Sequence, residues 1–255
     1  MKDQVIIVTG GSSGMGLHMA ERFLNEGAKV AITGRSLERL QQAREQIAKD
    51  REDRLLLIDM DVREPEQVQR MVEQTVHTYG TIDHLVNNAA GNFIVPAEEL
   101  SPNGWNSVIN IVLNGTFYCS QAVGKYWIDN NIKGSILNMV ATYAWGAGAG
   151  VVHSASAKAG VLTMSRTLAV EWGSKYGIRV NAIAPGPIER TGGADKLFQS
   201  EAAAKRTLNS VPLRRLGTPE EIAGLARFIL SEEAAYMNGE VVTLDGGQWL
   251  NKFPF

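Results

Sequence analysis

Short runs of β-branched and aliphatic residues alternate along this chain with longer segments of helical period, and no other feature restricts its fold as much. Residues 5–9 read as a strand, and residues 15–26 set Met19, Ala20, Phe23 and Leu24 on one helical face. The unit recurs as a strand at 29–33 and a polar helix at 37–49, then as a strand at 54–58 and a helix at 65–79, where Pro65 suits a first helical turn. Further strands are expected at 82–87, 134–140, 178–184 and 240–244, and further helices at 101–129, 153–175 and 219–231. Strands that alternate with helices make a parallel sheet covered on both faces and joined by right-handed crossovers. The expectation is an α/β fold, a doubly wound parallel sheet of about seven strands. No linker or break in composition divides the 255 residues, so a single domain over 1–255 is expected. The segment 185–217 differs from the rest. It is rich in Gly and Pro, has one helical patch near 194–208, and as a long excursion at the carboxyl edge of the sheet is expected to cover substrate.

Glycine supplies 26 of the 255 residues, an excess that no repeat explains, and part of it marks a site. Thr9-Gly10-Gly11-Ser12-Ser13-Gly14-Met15-Gly16 closes the first strand and opens the first helix. Gly10, Gly14 and Gly16 let the backbone turn tightly and approach a pyrophosphate. Ser12, Ser13 and Met15 belong to the same turn, which leads into a helix N-terminus with free N–H groups and a positive dipole end. A glycine trio is weak evidence in isolation. Its position between the first strand and helix of a βαβ unit makes it a dinucleotide signal and the expected sheet Rossmann-type.

The second strand ends at Thr33-Gly34-Arg35-Ser36. An NAD site wants a carboxylate there for the ribose hydroxyls. Gly34 stands in that position and Arg35 comes next, with a guanidinium able to pair with a phosphate. The expected cofactor is therefore NADP(H), with a solvated surface arginine as the plain alternative for Arg35. Asp61-Val62 ends the third strand, where a carboxylate can receive the adenine amino group. Asn87-Asn88-Ala89-Ala90-Gly91 ends the fourth and adds Asn88 and Ala89 as cofactor-facing candidates.

Charge and cysteine content remove other classes. Lys plus Arg total 25 and Asp plus Glu total 27, a net charge of −2 that gives no sign of a nucleic-acid partner. Cys119 is the single cysteine, and the four histidines have no metal-ligand spacing, so neither a disulfide framework nor a metal site is expected. Met1-Lys2-Asp3-Gln4 is too short and too acidic for a signal peptide, and no apolar run reaches the ~18 residues of a membrane span. A cytoplasmic protein without a membrane partner is expected.

Taken with Lys158 and Pro185-Gly186-Pro187-Ile188, these motifs make the chain resemble the short-chain dehydrogenase/reductase family over essentially its whole length. The resemblance implies that Pro185, Gly186 and Ile188 contact the cofactor and that Lys158 binds the nicotinamide ribose. It also implies a tyrosine four residues before the lysine on the same helix face, and a serine further upstream that steadies the substrate oxygen. This sequence departs from that pattern. Ser154 stands four residues before Lys158, Ala141 stands thirteen before Ser154, and Val112 stands three before Gly115, where the family usually has Asn. Either the chain is a binding relic or its chemistry has moved.

Tyr143 favours movement, because it comes just after the fifth strand and so belongs to the same carboxyl edge. Gly91-Asn92-Phe93, Val112-Leu113-Asn114-Gly115-Thr116, and Tyr143 with Ser154-Ala155-Ser156-Ala157-Lys158 are together similar to one branch of the family, the 2,4-dienoyl-CoA reductases. The similarity extends to the terminal Asp245-Gly246-Gly247. It implies that NADPH gives hydride to the far end of a conjugated dienoyl thioester in unsaturated fatty-acid oxidation, and that charge flows to the thioester oxygen. In that reading Tyr143 and Asn92 hold the oxyanion, Lys158 adds positive potential, Ser154 orients Lys158 or the cofactor, and Asn114 supports the lysine network. The acyl-CoA thioester needs cations for its phosphates, for which Arg63 and Lys196 are the candidates. Phe93 and Ser101 align with substrate-contacting positions, and the small residues from Ala144 to Gly150 leave room for a flat acyl chain. The family's usual assembly, a homotetramer, is the expected one. Two further readings stay open: a reductase of another enoyl or 3-oxoacyl thioester or carbonyl, and a cofactor-bound sensor or scaffold without turnover.

Overall fold

The computed structural model describes residues 1–191 and 201–251. Seven parallel strands form one sheet: β1 (Val5–Thr9), β2 (Lys29–Gly34), β3 (Leu55–Asp59), β4 (His84–Asn87), β5 (Ser135–Met139), β6 (Arg179–Pro185) and β7 (Val241–Leu244). Their order is β3-β2-β1-β4-β5-β6-β7, so the winding reverses between β1 and β4. Ligands bind such sheets at the carboxyl ends of the strands, beside that reversal.

The apolar runs are continuous because both faces of the sheet are buried. Side chains alternate between the faces. Ile6, Val8, Val30 and Ile32 pack into one core, with Phe23 and Met19 of α1 (Gly14–Asn25) and Leu40 of α2 (Leu37–Ile47). Ile7 and Ala31 point the other way, toward Val68 and Met71 of α3 (Pro65–Tyr79).

The expected helix at 101–129 is more divided than its sequence suggests. Ser101 lies outside it as the N-cap, its Oγ accepting from Gly104 N at 3.0 Å. Then come α4 (Pro102–Ile109), a π turn (Asn110–Asn114) and α5 (Gly115–Asp129). A π turn holds an extra residue and so rotates the next helical segment about its axis; such turns are frequent at functional sites. The helix expected at 153–175 is α6 (Val152–Tyr176), which packs Ala157 and Val161 against Val140 and Ala182.

Within the segment 185–217 the structure describes α7 (Glu201–Ser210). Residues 192–200, Lys196 among them, lie outside the described residues. The last helix, α8 (Pro219–Leu230), opens with a capping box in which Thr218 and Glu221 satisfy each other's backbone N–H groups. Among the described residues no helix is long and apolar enough to cross a membrane.

Candidate active site

A cleft of about 1280 Å³ runs along the carboxyl edge of the sheet and takes residues from the ends of six strands. The glycine-rich turn after β1 forms its floor at Gly10, Ser12, Ser13, Gly14 and Met15. Two glycines there are required by close approach. A Cβ on Gly10, whose φ is +65°, would sit 2.9 Å from Ala89 Cα, and one on Gly16 would sit 2.4 Å from the Gly10 carbonyl oxygen. Gly16 therefore shapes the turn from beneath rather than lining the cleft.

Asn88 does similar work. Its side-chain amide donates to the Thr9 and Gly10 carbonyls at 3.1 and 3.0 Å, while its own N–H and that of Ala89 donate to Thr9 Oγ1. The end of β4 is thus tied to the turn after β1 across the point where the winding reverses. Asn88 and Ala89 both line the cleft, as does Asn92, whose Oδ1 accepts from the Phe93 N–H at 2.9 Å.

Beyond β2, Arg35 lines the cleft together with Ser36 and Arg39. Ser36 is the N-cap of α2 and accepts from Arg39 N, so the start of α2 presents two guanidinium groups and a hydroxyl. Sequence reasoning found Arg35 and missed Arg39. Arg35 comes before the N-cap and Arg39 in the first turn of α2, and only the path of the chain from β2 into the helix brings the two to the same cleft.

Asp61 and Val62 line the cleft after β3. The Asp61 carboxylate is already engaged. Arg63 Nε donates to both its oxygens at 2.9 Å and Arg63 Nη2 to Oδ2 at 2.5 Å. Hydrogen bonding from Arg63 holds the Asp61 pKa below its ordinary value, with a smaller contribution from Arg35. Arg63, expected at the phosphates of a CoA ester, pairs with Asp61 and lines a separate cavity of about 340 Å³ with Glu64, Asn110, Asn114 and Tyr118. Asn114, expected in the lysine network, faces that second cavity too and donates to Asn110 Oδ1 at 2.9 Å. The two stand four residues apart, the spacing at which side chains on a helical stretch meet.

The other end of the cleft lies past β5. Tyr143 stands in a one-turn helix (Thr142–Ala144) directly after the strand, and its hydroxyl lies 3.1 Å from Ser154 Oγ on α6. Ser154, expected to orient Lys158 or the cofactor, has Tyr143 as its partner. Lys158 stands one turn further along α6. Its ammonium donates to the Met139 carbonyl at 2.5 Å, and burial pushes its pKa down to about 8. Pro185, Gly186 and Ile188 after β6 complete the wall, with Thr191 beside them, a residue that sequence reasoning did not single out. Phe93 packs edge-on against His153 at 4.5 Å between ring centres, at the start of α6. Neither Phe93 nor Ser101 lines the cleft, and Ser101 is occupied in capping α4.

The sequence model of the enoyl-(acyl carrier protein) reductase family matches residues 10–248. The chain belongs to the short-chain dehydrogenase/reductase family. Its similarity to other members runs from end to end. It is 62% identical over 255 residues, all of both chains, to a probable (2E)-enoyl-CoA-producing 2,4-dienoyl-CoA reductase of Bacillus subtilis (strain 168). It is 42% identical to a peroxisomal (3E)-enoyl-CoA-producing 2,4-dienoyl-CoA reductase of Danio rerio, over 98% of this chain and 83% of that one. A solved short-chain dehydrogenase from Bacillus anthracis superposes with a TM-score of 0.91 at 63% identity, covering 98% of each chain.

As a member of this family the protein is an oxidoreductase that uses a nicotinamide cofactor. The residues present fit that group, since Gly10, Ser12, Ser13, Gly14 and Met15 bring the backbone of the turn and the N-terminus of α1 to the cleft.

Proposed function

We propose that this protein is an NADP(H)-dependent reductase of 2,4-dienoyl-CoA thioesters in unsaturated fatty-acid oxidation. The observation that carries the reading is the contact between the Tyr143 hydroxyl and Ser154 Oγ at 3.1 Å. Ser154 occupies the helix position at which the family's tyrosine is expected, four residues before Lys158. The phenol of Tyr143 thus reaches from the loop to the place that the helix tyrosine left.

The shift has its origin in where charge develops. When a simple carbonyl is reduced, the oxygen that gains charge is bonded to the carbon that accepts hydride. In a conjugated dienoyl thioester that oxygen lies several bonds from the accepting carbon, and a hydrogen-bond donor is effective only where the charge arrives. The nicotinamide cofactor, when bound, supplies the hydride. The chain's own side chains then stabilise the charge. The Tyr143 hydroxyl and the Asn92 amide donate to the thioester oxygen as the dienolate forms, and the dienolate takes up a proton from water on carbon, which completes the reduction. Ser154 holds the phenol in place. Lys158 binds the ribose and contributes positive potential, while the Gly10–Gly16 turn and Asp61 hold the pyrophosphate and adenine ends.

The 2′-phosphate is assigned to Arg35, Arg39 and the N-terminal turn of α2, which favours NADP(H) over NAD(H). Phe93, Ser101 and Lys196 are proposed to contact the acyl-CoA, the segment 185–217 to cover it, and the molecule to work as a cytoplasmic homotetramer.

The test is a substrate panel. Purified protein is mixed with NADPH and 2,4-hexadienoyl-CoA, crotonyl-CoA or a 3-oxoacyl-CoA, and nicotinamide absorbance is monitored. Oxidation with the dienoyl ester alone is expected. Oxidation only with crotonyl or 3-oxoacyl ester would assign the other reductase chemistry, and none with any ester would leave a binding protein. Chromatography of the product then places the remaining double bond at C2, as in the name of the B. subtilis relative, or at C3, as in that of the D. rerio relative.

A further inference from the structure

A tyrosine on a long helix is held by the helix. Tyr143 has only a single turn around it, and the residues after that turn, Gly146-Ala147-Gly148-Ala149-Gly150, have almost no side chain with which to hold a loop. Fixing such a segment costs more backbone entropy than fixing any other; Ser154 meets the hydroxyl and the Val95 N–H donates to the Gly150 carbonyl at 3.0 Å, and a further contact at Trp145 and Gly146 narrows where the loop can sit.

The turn that follows β7 supplies contacts of that kind. Trp249 meets Trp145 edge-on, with ring centres 5.6 Å apart and planes at 86°. A Cβ on Gly146 would lie 3.5 Å from the Trp249 ring, so the ring also rests against the loop backbone. Trp249 is itself fixed by a built turn. Its N–H donates to Asp245 Oδ2 at 2.6 Å and the Gly247 N–H to Oδ1 at 2.9 Å.

That turn touches two other borders of the cleft. At Gly186, in the wall after β6, a Cβ would sit 2.7 Å from Asp245 Cα, and the Gly186 N–H donates to the Leu244 carbonyl at 3.0 Å. At the end of α7, Gln248 Nε2 donates to Ser210 Oγ at 2.8 Å and Asn251 Nδ2 to the Ser210 carbonyl at 3.0 Å. One turn therefore joins the Tyr143 loop, the cofactor wall and the returning end of the substrate-side excursion.

We propose that Trp249, through its edge-on contact with Trp145, is a positioning residue that fixes the Tyr143 hydroxyl for the reaction. The inference rests on the reading of Tyr143 as the oxyanion donor. It makes the C-terminal turn part of the machinery in place of the helix that usually carries the tyrosine. Trp249 is not among the residues that line the cleft, so its proposed effect on turnover runs through the Tyr143 loop.

The test compares wild type, Trp249→Phe, Trp249→Ala, Tyr143→Phe and the double variant Tyr143→Phe/Trp249→Ala, with NADPH and 2,4-hexadienoyl-CoA. Displacing a catalytic group by about 1 Å can cost on the order of 100-fold, so Trp249→Ala is expected to lower kcat by at least about tenfold. The KM for NADPH is expected to stay within about twofold, and Trp249→Phe to restore most of kcat. Near-ultraviolet circular dichroism reads the tryptophan pair directly and is expected to lose intensity in both Trp249 variants, while an unchanged NADPH affinity reports an intact fold.

The double variant decides the mechanism. If Trp249 works through Tyr143, removing it from Tyr143→Phe costs no further turnover. Two losses that multiply would overturn the inference, and so would wild-type kcat in Trp249→Ala alongside an impaired Tyr143→Phe. Wild-type kcat in Tyr143→Phe would instead remove the donor assignment itself, and the positioning role with it.

Discussion

Lys158 is a charge in a place where charge is costly. It is almost fully buried, its carbonyl partner is Met139, and burial lowers its pKa from 10.5 to about 8. The unfolded chain holds that proton more tightly than the folded one, so stability declines as pH falls from about 10 to 8 and the full cost is present at neutrality. At 1.36 kcal/mol per unit the shift amounts to about 3 kcal/mol. Lys158→Met is therefore expected to raise the melting temperature of the cofactor-free protein at pH 7 while abolishing turnover. A lower melting temperature, measured by calorimetry, would mean that the bond to Met139 outweighs desolvation.

On the far side of the cleft, Arg35→Ala and Arg39→Ala are each expected to raise the KM for NADPH about tenfold and to leave that for NADH nearly unchanged. An unchanged NADPH/NADH ratio in both variants would remove the phosphate role. Arg35 was legible because the end of a second strand is a defined place in a dinucleotide fold, whereas Arg39 looked like any arginine of a polar helix. The Tyr143–Ser154 contact was hidden for a different reason: the two stand eleven positions apart across loop and helix, and only the path of the loop brings them together.

At the scale of elements, periodicity located the strands, and local competition for hydrogen bonds set their ends. A strand from 82 is expected from sequence, yet β4 begins at His84, because the Ile82 carbonyl accepts from the Trp127 indole at 2.6 Å. The π turn left no trace in the apolar pattern, since the residues on either side keep helical spacing. Nor did the buried amide chain in which Asn87 Nδ2 donates to Ser120 Oγ and Asn138 Oδ1, and Asn138 Nδ2 to Ser165 Oγ, joining β4 and β5 to α5 and α6 beneath the cleft.

The first residue of β4 also makes the fold sensitive to acid. His84 is buried, and desolvation, with smaller contributions from Arg179 and the chain's amino terminus, lowers its pKa from 6.5 to about 3. Below pH 6.5 the unfolded chain takes up a proton that the native one refuses, so stability is lost as pH falls between those values. At about 1.4 kcal/mol per pH unit, the loss from pH 7 to pH 4 is about 3 kcal/mol. Urea denaturation of His84→Leu at the two pH values is expected to shrink the difference by about that amount. An undiminished acid loss would assign it to the carboxylates.

For the molecule as a whole, the strand order, the covered faces and the site at the carboxyl edge are all consequences of the alternation of elements and one glycine-rich turn. The way distant parts of the chain share the site is not. A net charge of −2 gave no hint that Arg35 before α2 and Arg39 in its first turn face one cleft, or that Arg63 pairs with Asp61. The role proposed for the C-terminal turn depends on packing between residues about a hundred positions apart, which no periodicity encodes. Every part converges on one claim, that the hydrogen-bond donor has moved from the helix to the loop after β5.

The most direct measurement of that claim is the turnover of Tyr143→Phe with NADPH and 2,4-hexadienoyl-CoA, set beside its NADPH dissociation constant. A single oxyanion donor is worth on the order of 100-fold to 1,000-fold in kcat. The account predicts a loss of that size with cofactor affinity unchanged, and near-wild-type turnover in Tyr143→Phe would contradict it.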